Sequence, residues 1–243
     1  APASERVLLE IPLAPEGAIH AGGALAMDAS GLLHVATGDD TQLDGSNGYA
    51  PLDFAPGRAR YDAARSAGNP NDLRGKLLRI RPTPDGGYAI PDGNLFDVAA
   101  AERGLVGRPE IFAMGVRNPF TLAIDAESGA VFVGEPGPDA ERNDPRLGPR
   151  GYDEVNRVAL AGNLGWPFFG GDGRAYGPDP QPAEAPRNRS PNNTGSERLP
   201  PARGPWLAYL YGWSAAFPEL GRGSRSVFVA GVARDAARGG RRL

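Results

Sequence analysis

The sequence predicts an all-β protein whose strands form repeated blades. Three observations support this: short apolar runs bounded by Gly, Pro or Asp, a hairpin pattern that occurs twice, and long intervening segments without a strand pattern. Glycine and proline account for 35 and 25 of the 243 residues and fall mainly between the apolar runs. This distribution is typical of short strands joined by turns and loops.

The strands are predicted from runs rich in leucine or β-branched residues. They cover residues 6–12, 23–28, 32–38, 76–81, 110–115, 121–125, 130–134, 206–211 and 226–232, and a charged strand covers 151–157. Short helices are predicted only at 61–66 and 97–105. Segments 40–75, 138–151 and 171–205 carry no strand pattern, and loops of this length are usually functional or disordered.

Two sequence units recur in the same order, as a repeat architecture requires. Residues 7–17 resemble residues 76–86, and residues 25–38 resemble residues 122–135. The second unit predicts two strands joined by a turn in which a glycine supplies a positive φ angle. Repeated hairpins with an additional strand are typical of propeller blades, and at about 40–50 residues per blade the chain holds about three to four.

Three or four blades do not close a propeller, because closure pairs the first blade with the last. We therefore expect a single partial propeller domain over residues 1–243, with propeller sequence at about 6–232. The arginine-rich residues 233–243 form an atypical tail that does not continue the strand pattern. The sequence thus predicts a fragment of a longer propeller, from a truncated gene or a frameshift.

Composition argues against several classes of function. A formal charge of −3 provides no basic field for a phosphate backbone, so no nucleic-acid partner is expected. The absence of cysteine excludes disulfides and thiolate metal sites and leaves the compartment open. No apolar run approaches the length of a membrane span.

The two histidines are candidates for proton transfer. His20 directly precedes the first hairpin and is followed by small residues that permit close approach of a ligand. It is the candidate general base, and the alternative is a loop histidine without a role. His34 lies inside a predicted strand and is expected to be structural.

Further candidates could hold a cofactor. Arg117 precedes a strand together with Asn118, and its planar guanidinium suits carboxylate or quinone oxygens, although it could equally pin loop carbonyls. Residues 134–139 (Gly-Glu-Pro-Gly-Pro-Asp) could direct backbone carbonyls toward a hard cation such as calcium. Trp166 forms either a pocket wall or packing between blades.

An oxygen-rich loop follows the second predicted strand. It contains Asp39, Asp40, Asp44 and Asn47. Their spacing does not match an EF-hand, and no bidentate glutamate follows. We expect these residues to be solvated turn residues.

Taken in order, these motifs resemble the glucose/sorbosone dehydrogenase family, which includes the aldose sugar dehydrogenases. The resemblance extends over about residues 6–220 and rests on collinear short runs. These are 20–23, 38–39, 74–80, 91–96, 108–112, 115–119, 137–139, 152–156 and 162–167.

The resemblance implies a six-bladed β-propeller that binds pyrroloquinoline quinone (PQQ) and calcium over its axis. His20 would take the proton of an aldose anomeric hydroxyl while a hydride passes to the quinone. Arg117 and Asn118 would hold the quinone, and Trp166 is expected beside it. The carbonyls of residues 137 and 138, Gly137 and Pro138, would bind calcium, which polarises the quinone.

The chain also departs from the family. Family members use lysine and arginine residues of later blades to grip the cofactor, whereas the single lysine here, Lys76, belongs to an early strand. We therefore expect this chain to be inactive alone. The family implies a periplasmic or extracellular location, a sugar substrate and an electron acceptor such as a cytochrome c. Alternatives are a non-catalytic propeller that binds carbohydrate or protein, and, ranked last, a calcium-dependent lactonase.

Overall fold

The protein is all-β, and the computed structural model describes residues 5–14, 19–171, 173–221, 226–235 and 240–242. The strands are β1 (Gly22–Met27), β2 (Leu33–Thr37), β3 (Lys76–Pro82), β4 (Tyr88–Ala89), β5 (Ile111–Met114), β6 (Thr121–Ile124), β7 (Val131–Glu135), β8 (Tyr152–Val158), β9 (Gly162–Asn163), β10 (Phe169–Gly170), β11 (Arg174–Ala175), β12 (Leu207–Leu210), β13 (Ala233–Asp235) and β14 (Gly240–Arg242). The helical elements are α1 (Val98–Glu102) and 3₁₀ turns at Ala59–Tyr61, Ala63–Arg65 and Pro218–Leu220. None of the described helices is long and apolar enough to cross a membrane.

Two sheets, each built on four antiparallel strands, contain most of the strands. The first has the order β1-β2-β3-β5, with β4 paired to β3 and β9 added in parallel to β5. The second has the order β6-β7-β8-β12. In each sheet, successive long strands are neighbours, which is the arrangement expected of a propeller blade. The described residues form two such sheets, so the three to four blades and the six-bladed ring remain predictions.

The two sheets pack against each other. Strand β1 contacts β6, and buried side chains of both sheets share one apolar cluster. The cluster includes Leu77 and Phe112 from the first sheet and Val131, Val133 and Val158 from the second. Since burial of such side chains provides the main driving force for folding, the sheets form one structural unit.

Both repeated hairpins are confirmed. Backbone hydrogen bonds from Asp28 N to Leu32 O (3.0 Å) and from Asp125 N to Ala130 O (2.9 Å) close the two turns. The turn glycines of the two hairpins, Gly31 and Gly129, have φ angles of 76° and 68°. Glycine adopts this left-handed conformation without steric cost, which explains the turn pattern of the repeat.

Two predicted strands are wrong. Residues 6–12 and 226–232 form no strand. Val227 and Val229 are buried, whereas Val7 and Phe228 are 69% and 68% exposed. Leu9 and Ile11 pack on the core, but Pro12 has no N–H to donate to a ladder. Val229 N donates to the side-chain hydroxyl of Thr121 in β6 (3.0 Å), a contact that is not part of a backbone ladder. The other predicted strands are confirmed.

Of the predicted helices, the one at 97–105 is confirmed in shorter form as α1, where the Asp97 carboxylate accepts a hydrogen bond from Ala100 N (2.9 Å). The predicted helix at 61–66 is replaced by two 3₁₀ turns that meet at Asp62. Residues 15–17 of the first repeat unit, and 236–239 and 243 of the predicted tail, lie outside the described residues. Strands β13 and β14 of the tail pair with each other.

The long segments 40–75 and 171–205 pack against each other through buried polar side chains. Asn188 Nδ2 donates to Ala64 O (2.7 Å) and to Gly68 O (2.9 Å). The Asp62 carboxylate accepts hydrogen bonds from Ser190 and from Asn192 (3.0 Å to Nδ2). These contacts satisfy loop carbonyls that would otherwise be buried without a partner, so the loops have a defined conformation.

Candidate functional site

The candidate site lies at one edge of the two sheets. Gly22 at the start of β1 pairs with Thr37 at the end of β2, and β6 begins and β7 ends at the corresponding edge of the second sheet. His20 therefore precedes β1, Asp39 follows β2, and Arg117 precedes β6. Asp39 N donates to Arg117 O (2.8 Å), which joins the loops of the two sheets.

The backbone of His20 is held in an unusual conformation. Its φ angle is 62°, in the left-handed region that non-glycine residues seldom adopt. Asp40 N donates to His20 O (3.2 Å), and a Cβ on Gly38 would lie only 1.8 Å from that oxygen. Such a conformation persists only where its surroundings enforce it, and such positions cluster at functional sites.

The Asp39 carboxylate orients the imidazole of His20. Asp39 is fully buried, and its Oδ1 lies 2.9 Å from His20 Nδ1 and accepts a hydrogen bond from Thr41 N (3.0 Å). Its Oδ2 accepts a hydrogen bond from Trp166 Nε1 (2.7 Å). A carboxylate in contact with Nδ1 favours the tautomer that carries the proton on that nitrogen. His20 Nε2 then has a lone pair for proton transfer.

The expectation of solvated turn residues is wrong for two members of the oxygen-rich loop. Asp39 is 0% exposed and Asp40 is 4% exposed, and Asp40 accepts a hydrogen bond from Arg74 Nη1 (2.7 Å). Buried carboxylates require such partners because desolvation of an unpaired charge is costly. Asp44 and Asn47 are exposed, as predicted. The sequence signal for Asp39 was its place directly after a strand, within one of the family motifs.

Arg117 and Asn118 connect the two sheets through contacts with Asp39 and Gly22, which lie close to His20 in the site. Arg117 is buried, its Nη1 donates to Pro136 O (3.0 Å), and its guanidinium carbon lies 5.7 Å from the centre of the Trp166 ring. Arg117 Nε is buried without a hydrogen-bond partner in the described part of the chain. Asn118 Oδ1 accepts from Gly22 N (3.1 Å) and so fixes the start of β1.

Two glutamates are cross-strand neighbours in the second sheet, where β7 ends and β8 begins. Glu135 in β7 pairs with Glu154 in β8. The Glu135 carboxylate accepts a hydrogen bond from Arg117 N, and the Glu154 carboxylate accepts one from Gly171 N. Burial raises the pKa of Glu154 to about 7, and burial together with the Glu154 charge raises the pKa of Glu135 well above its ordinary value. The pair therefore holds a proton near neutral pH.

The family model described as Glucose / Sorbosone dehydrogenase matches residues 3–202. The chain belongs to this family. It is 32% identical over 149 residues to the aldose sugar dehydrogenase YliI of Escherichia coli (strain K12), which covers 61% of this chain and 29% of the relative. It is 29% identical over 160 residues to quinoprotein glucose dehydrogenase B of Acinetobacter calcoaceticus, covering 65% of this chain and 28% of the relative.

Among solved structures, the PQQ-bound form of aldose sugar dehydrogenase from Streptomyces coelicolor matches with a TM-score of 0.44 and 22% identity. That match covers 84% of this chain and 40% of the solved chain. The matched part of the chain spans less than a third of the length of the two curated relatives above.

Three of the predicted site residues, His20, Arg117 and Asn118, meet at one sheet edge, and Trp166 joins them through Asp39.

The residues that the family resemblance assigns to the quinone are suited to hold a quinone. Arg117 presents a buried Nε without a partner, and hydrogen bonds from a guanidinium are suited to carboxylate and quinone oxygens. Asn118 uses its carbonyl oxygen on Gly22 N, which directs its amide N–H groups away from that contact. Trp166 is 5% exposed, so its indole is mostly enclosed by protein, and its contact with a cofactor remains a prediction.

The segment predicted to bind calcium is held by tight backbone contacts. Gly137 N donates to Asp153 Oδ1 (3.0 Å), and a Cβ on Gly151 would lie 1.6 Å from Pro138 O. The Pro138 carbonyl thus lies against the α-carbon of Gly151. Calcium takes six to eight oxygen ligands, of which two backbone carbonyls supply only a part. The described residues contain no cluster of three or more His, Asp or Glu side chains suited to a metal, and calcium remains an expectation.

Lys76 has a structural environment. It is 0% exposed, and its Nζ donates to Ser66 O (2.7 Å), Ala67 O (3.2 Å) and Arg74 O (2.7 Å). Burial lowers its pKa to about 7, while the negative charges of Asp72 and Asp39 act in the opposite direction. Its three N–H donors are thus all hydrogen-bonded to backbone carbonyl oxygens. Lys76 is the first residue of β3, as the sequence predicts. His34, as expected, is buried in β2, where Nε2 lies 3.2 Å from Asp28 Oδ2.

Proposed function

We propose that this chain forms part of a quinoprotein oxidoreductase that oxidises the anomeric hydroxyl of aldose sugars to lactones, with PQQ and calcium. Family membership and the names of the two relatives, aldose sugar dehydrogenase and quinoprotein glucose dehydrogenase, support the proposal. The observation that carries it is the buried His20–Asp39 pair at the sheet edge, with 2.9 Å between Nδ1 and Oδ1.

His20 performs the proton transfer. With its Nδ1 proton directed at Asp39, Nε2 accepts the proton of the anomeric hydroxyl, and the carboxylate stabilises the imidazolium that forms. Removal of this proton strengthens the tendency of the anomeric carbon to release hydride. When bound, the quinone supplies the acceptor for that hydride.

Arg117 and Asn118 bind and orient the cofactor. The guanidinium carries a permanent positive charge, which stabilises negative charge that develops on a neighbouring oxygen. The hydrogen bond from Arg117 Nη1 to Pro136 O fixes the side chain before any ligand arrives, so little reorganisation accompanies binding. The carbonyls of Gly137 and Pro138 supply calcium ligands in this proposal.

The remaining proposals concern the surroundings of the enzyme. Its partners are an aldose and an electron acceptor such as a cytochrome c, and its location is periplasmic or extracellular. Because the chain spans 29% of its E. coli relative, other segments are needed to complete the cofactor grip, and this chain alone is inactive.

The test compares this chain with the full-length product of its gene. Each is titrated with PQQ in the presence of calcium, followed by tryptophan fluorescence, and glucose oxidation is assayed with a dye acceptor. We expect dye reduction only in the longer protein, with loss of at least about 100-fold in kcat on His20→Gln. His34→Gln serves as the matched histidine control. A longer protein that folds but neither binds PQQ nor oxidises any aldose would favour a non-catalytic binding propeller.

A further inference from the structure

The Asp39 carboxylate receives hydrogen bonds on both of its oxygens. His20 and Thr41 contact Oδ1, and the Trp166 indole contacts Oδ2 at 2.7 Å. Trp166 lies 127 residues from Asp39 in the chain, so this last contact links two distant loops. The described donors therefore constrain the rotation of the carboxylate from both sides.

The indole N–H is well suited to this task. The tryptophan side chain has one hydrogen-bond donor and no acceptor, so in its hydrogen bond with the carboxylate the indole is always the donor. A hydrogen bond to an ionised acceptor is short and about twice as strong as one between neutral groups. If it were absent, Oδ2 would be buried without a donor, because Asp39 is 0% exposed.

The ring itself is held firmly. Trp166 is 5% exposed and packs edge-to-face against Tyr176, with 5.9 Å between the ring centres. Its backbone N donates to Gly115 O (3.1 Å), directly beside the Arg117 loop. The position of the indole N–H is thus determined by packing and backbone contacts that do not involve His20.

We propose that Trp166 is a positioning residue, whose indole N–H holds the Asp39 carboxylate in the orientation that directs His20 for proton transfer. The assignment of His20 as the base rests on the proposed function. The geometric part does not, because Trp166, Asp39 and His20 are all present in this chain and can be observed without quinone.

The experiment uses the whole chain and replaces Trp166 with 3-benzothienylalanine, which keeps the bicyclic shape and lacks the N–H. NMR follows the ring N–H protons of His20 and His34. We expect the His20 Nδ1–H signal to exchange with water about ten-fold faster than in the native chain, because loss of one hydrogen bond to a charged group weakens the hold on the carboxylate by about this factor. His34, which contacts Asp28 instead, serves as the internal control and keeps its exchange rate.

An unchanged His20 Nδ1–H signal in the isostere would overturn the proposal, because packing alone would then suffice. The same substitution at Trp206, which is 48% exposed, should leave both histidines unaffected. Asp39→Asn provides a second measurement if the isostere does not fold. Loss of the ionised acceptor should move the Trp166 indole proton upfield and leave Trp206 and Trp213 in place, and an unmoved Trp166 signal would contradict the proposal.

These readouts separate the two proposals. A faster His20 exchange in the isostere, together with an inactive full-length protein, would support Trp166 as a positioning residue and refute the sugar dehydrogenase. An active full-length protein with an unchanged His20 signal in the isostere would support the sugar dehydrogenase and refute Trp166 as a positioning residue.

Discussion

Replacement of Glu154 by glutamine should remove a pH-dependent loss of stability. Burial raises the pKa of Glu154 from 4.5 to about 7, whereas the unfolded chain keeps the ordinary value. Between these two pH values the folded protein holds a proton that the unfolded chain has released, so stability falls as pH rises from about 4.5 to about 7. At 1.36 kcal/mol per pKa unit the loss is about 3 kcal/mol, reduced to about 2 kcal/mol because Glu154 keeps part of its surface accessible.

Glutamine keeps an oxygen that accepts from Gly171 N and carries no charge at any pH. We expect Glu154→Gln to unfold at higher urea concentration than the native chain at pH 8, by about 2 kcal/mol, and to differ little from it at pH 4.5. Urea unfolding followed by tryptophan fluorescence between pH 4.5 and 8 measures both differences. Glu141→Gln, at an exposed position near the site, is the control and should leave the native pH profile unchanged.

A Glu154→Gln profile that falls with pH as steeply as the native one would refute the reasoning. It would show that the carboxylate is ionised at little cost in the folded state. The protonated pair would then not exist, and the close approach of Glu135 and Glu154 in the β7–β8 register would need a bound cation or water as its explanation.

Three further predictions concern the scaffold of the site, and urea unfolding measures each of them. Lys76→Met should lower the free energy of unfolding by about 3 kcal/mol or more, because the carbonyl oxygens of Ser66, Ala67 and Arg74 each lose the hydrogen bond from its ammonium group, whereas Arg81→Met at an exposed position should change it by less than about 1 kcal/mol. Gly151→Ala should cost more than about 3 kcal/mol, because its Cβ would lie 1.6 Å from Pro138 O, whereas Gly204→Ala meets no atom within 4 Å and should be nearly neutral. Asn188→Ala should cost about 2 kcal/mol through the loss of its hydrogen bonds to Ala64 O and Gly68 O, and a value near zero would mean that water replaces them.

The sequence predicted the strands well where local pattern decides the structure. The repeated hairpins depend on a glycine in a positive-φ turn and on alternating apolar residues, and both features are visible in ten to fifteen residues. The segment at 226–232 shows the limit of the method. Its side chains alternate between buried and exposed as in a strand, but its backbone has no strand partner, which local sequence does not reveal.

The candidate site was only partly predictable. His20, Arg117 and Asn118 stand beside strands in recognisable motifs, so their positions at the sheet edge follow from the topology. Asp39 was expected to be solvated, because nothing local shows that a tryptophan 127 residues away donates to it. Long-range hydrogen bonds of this kind depend on tertiary contacts between loops, to which periodicity and composition are insensitive.

Lys76 connects the core of the first sheet to the candidate base through loop backbone. Its Nζ donates to the carbonyl of Ser66, and Ser66 Oγ in turn donates to the carbonyl of Asp39 (2.6 Å). Asp39 is therefore held by its backbone from the Lys76 side and by its carboxylate from the Trp166 side. Because these two supports come from separate loops, loss of either one should loosen His20 without removing any group that contacts a substrate.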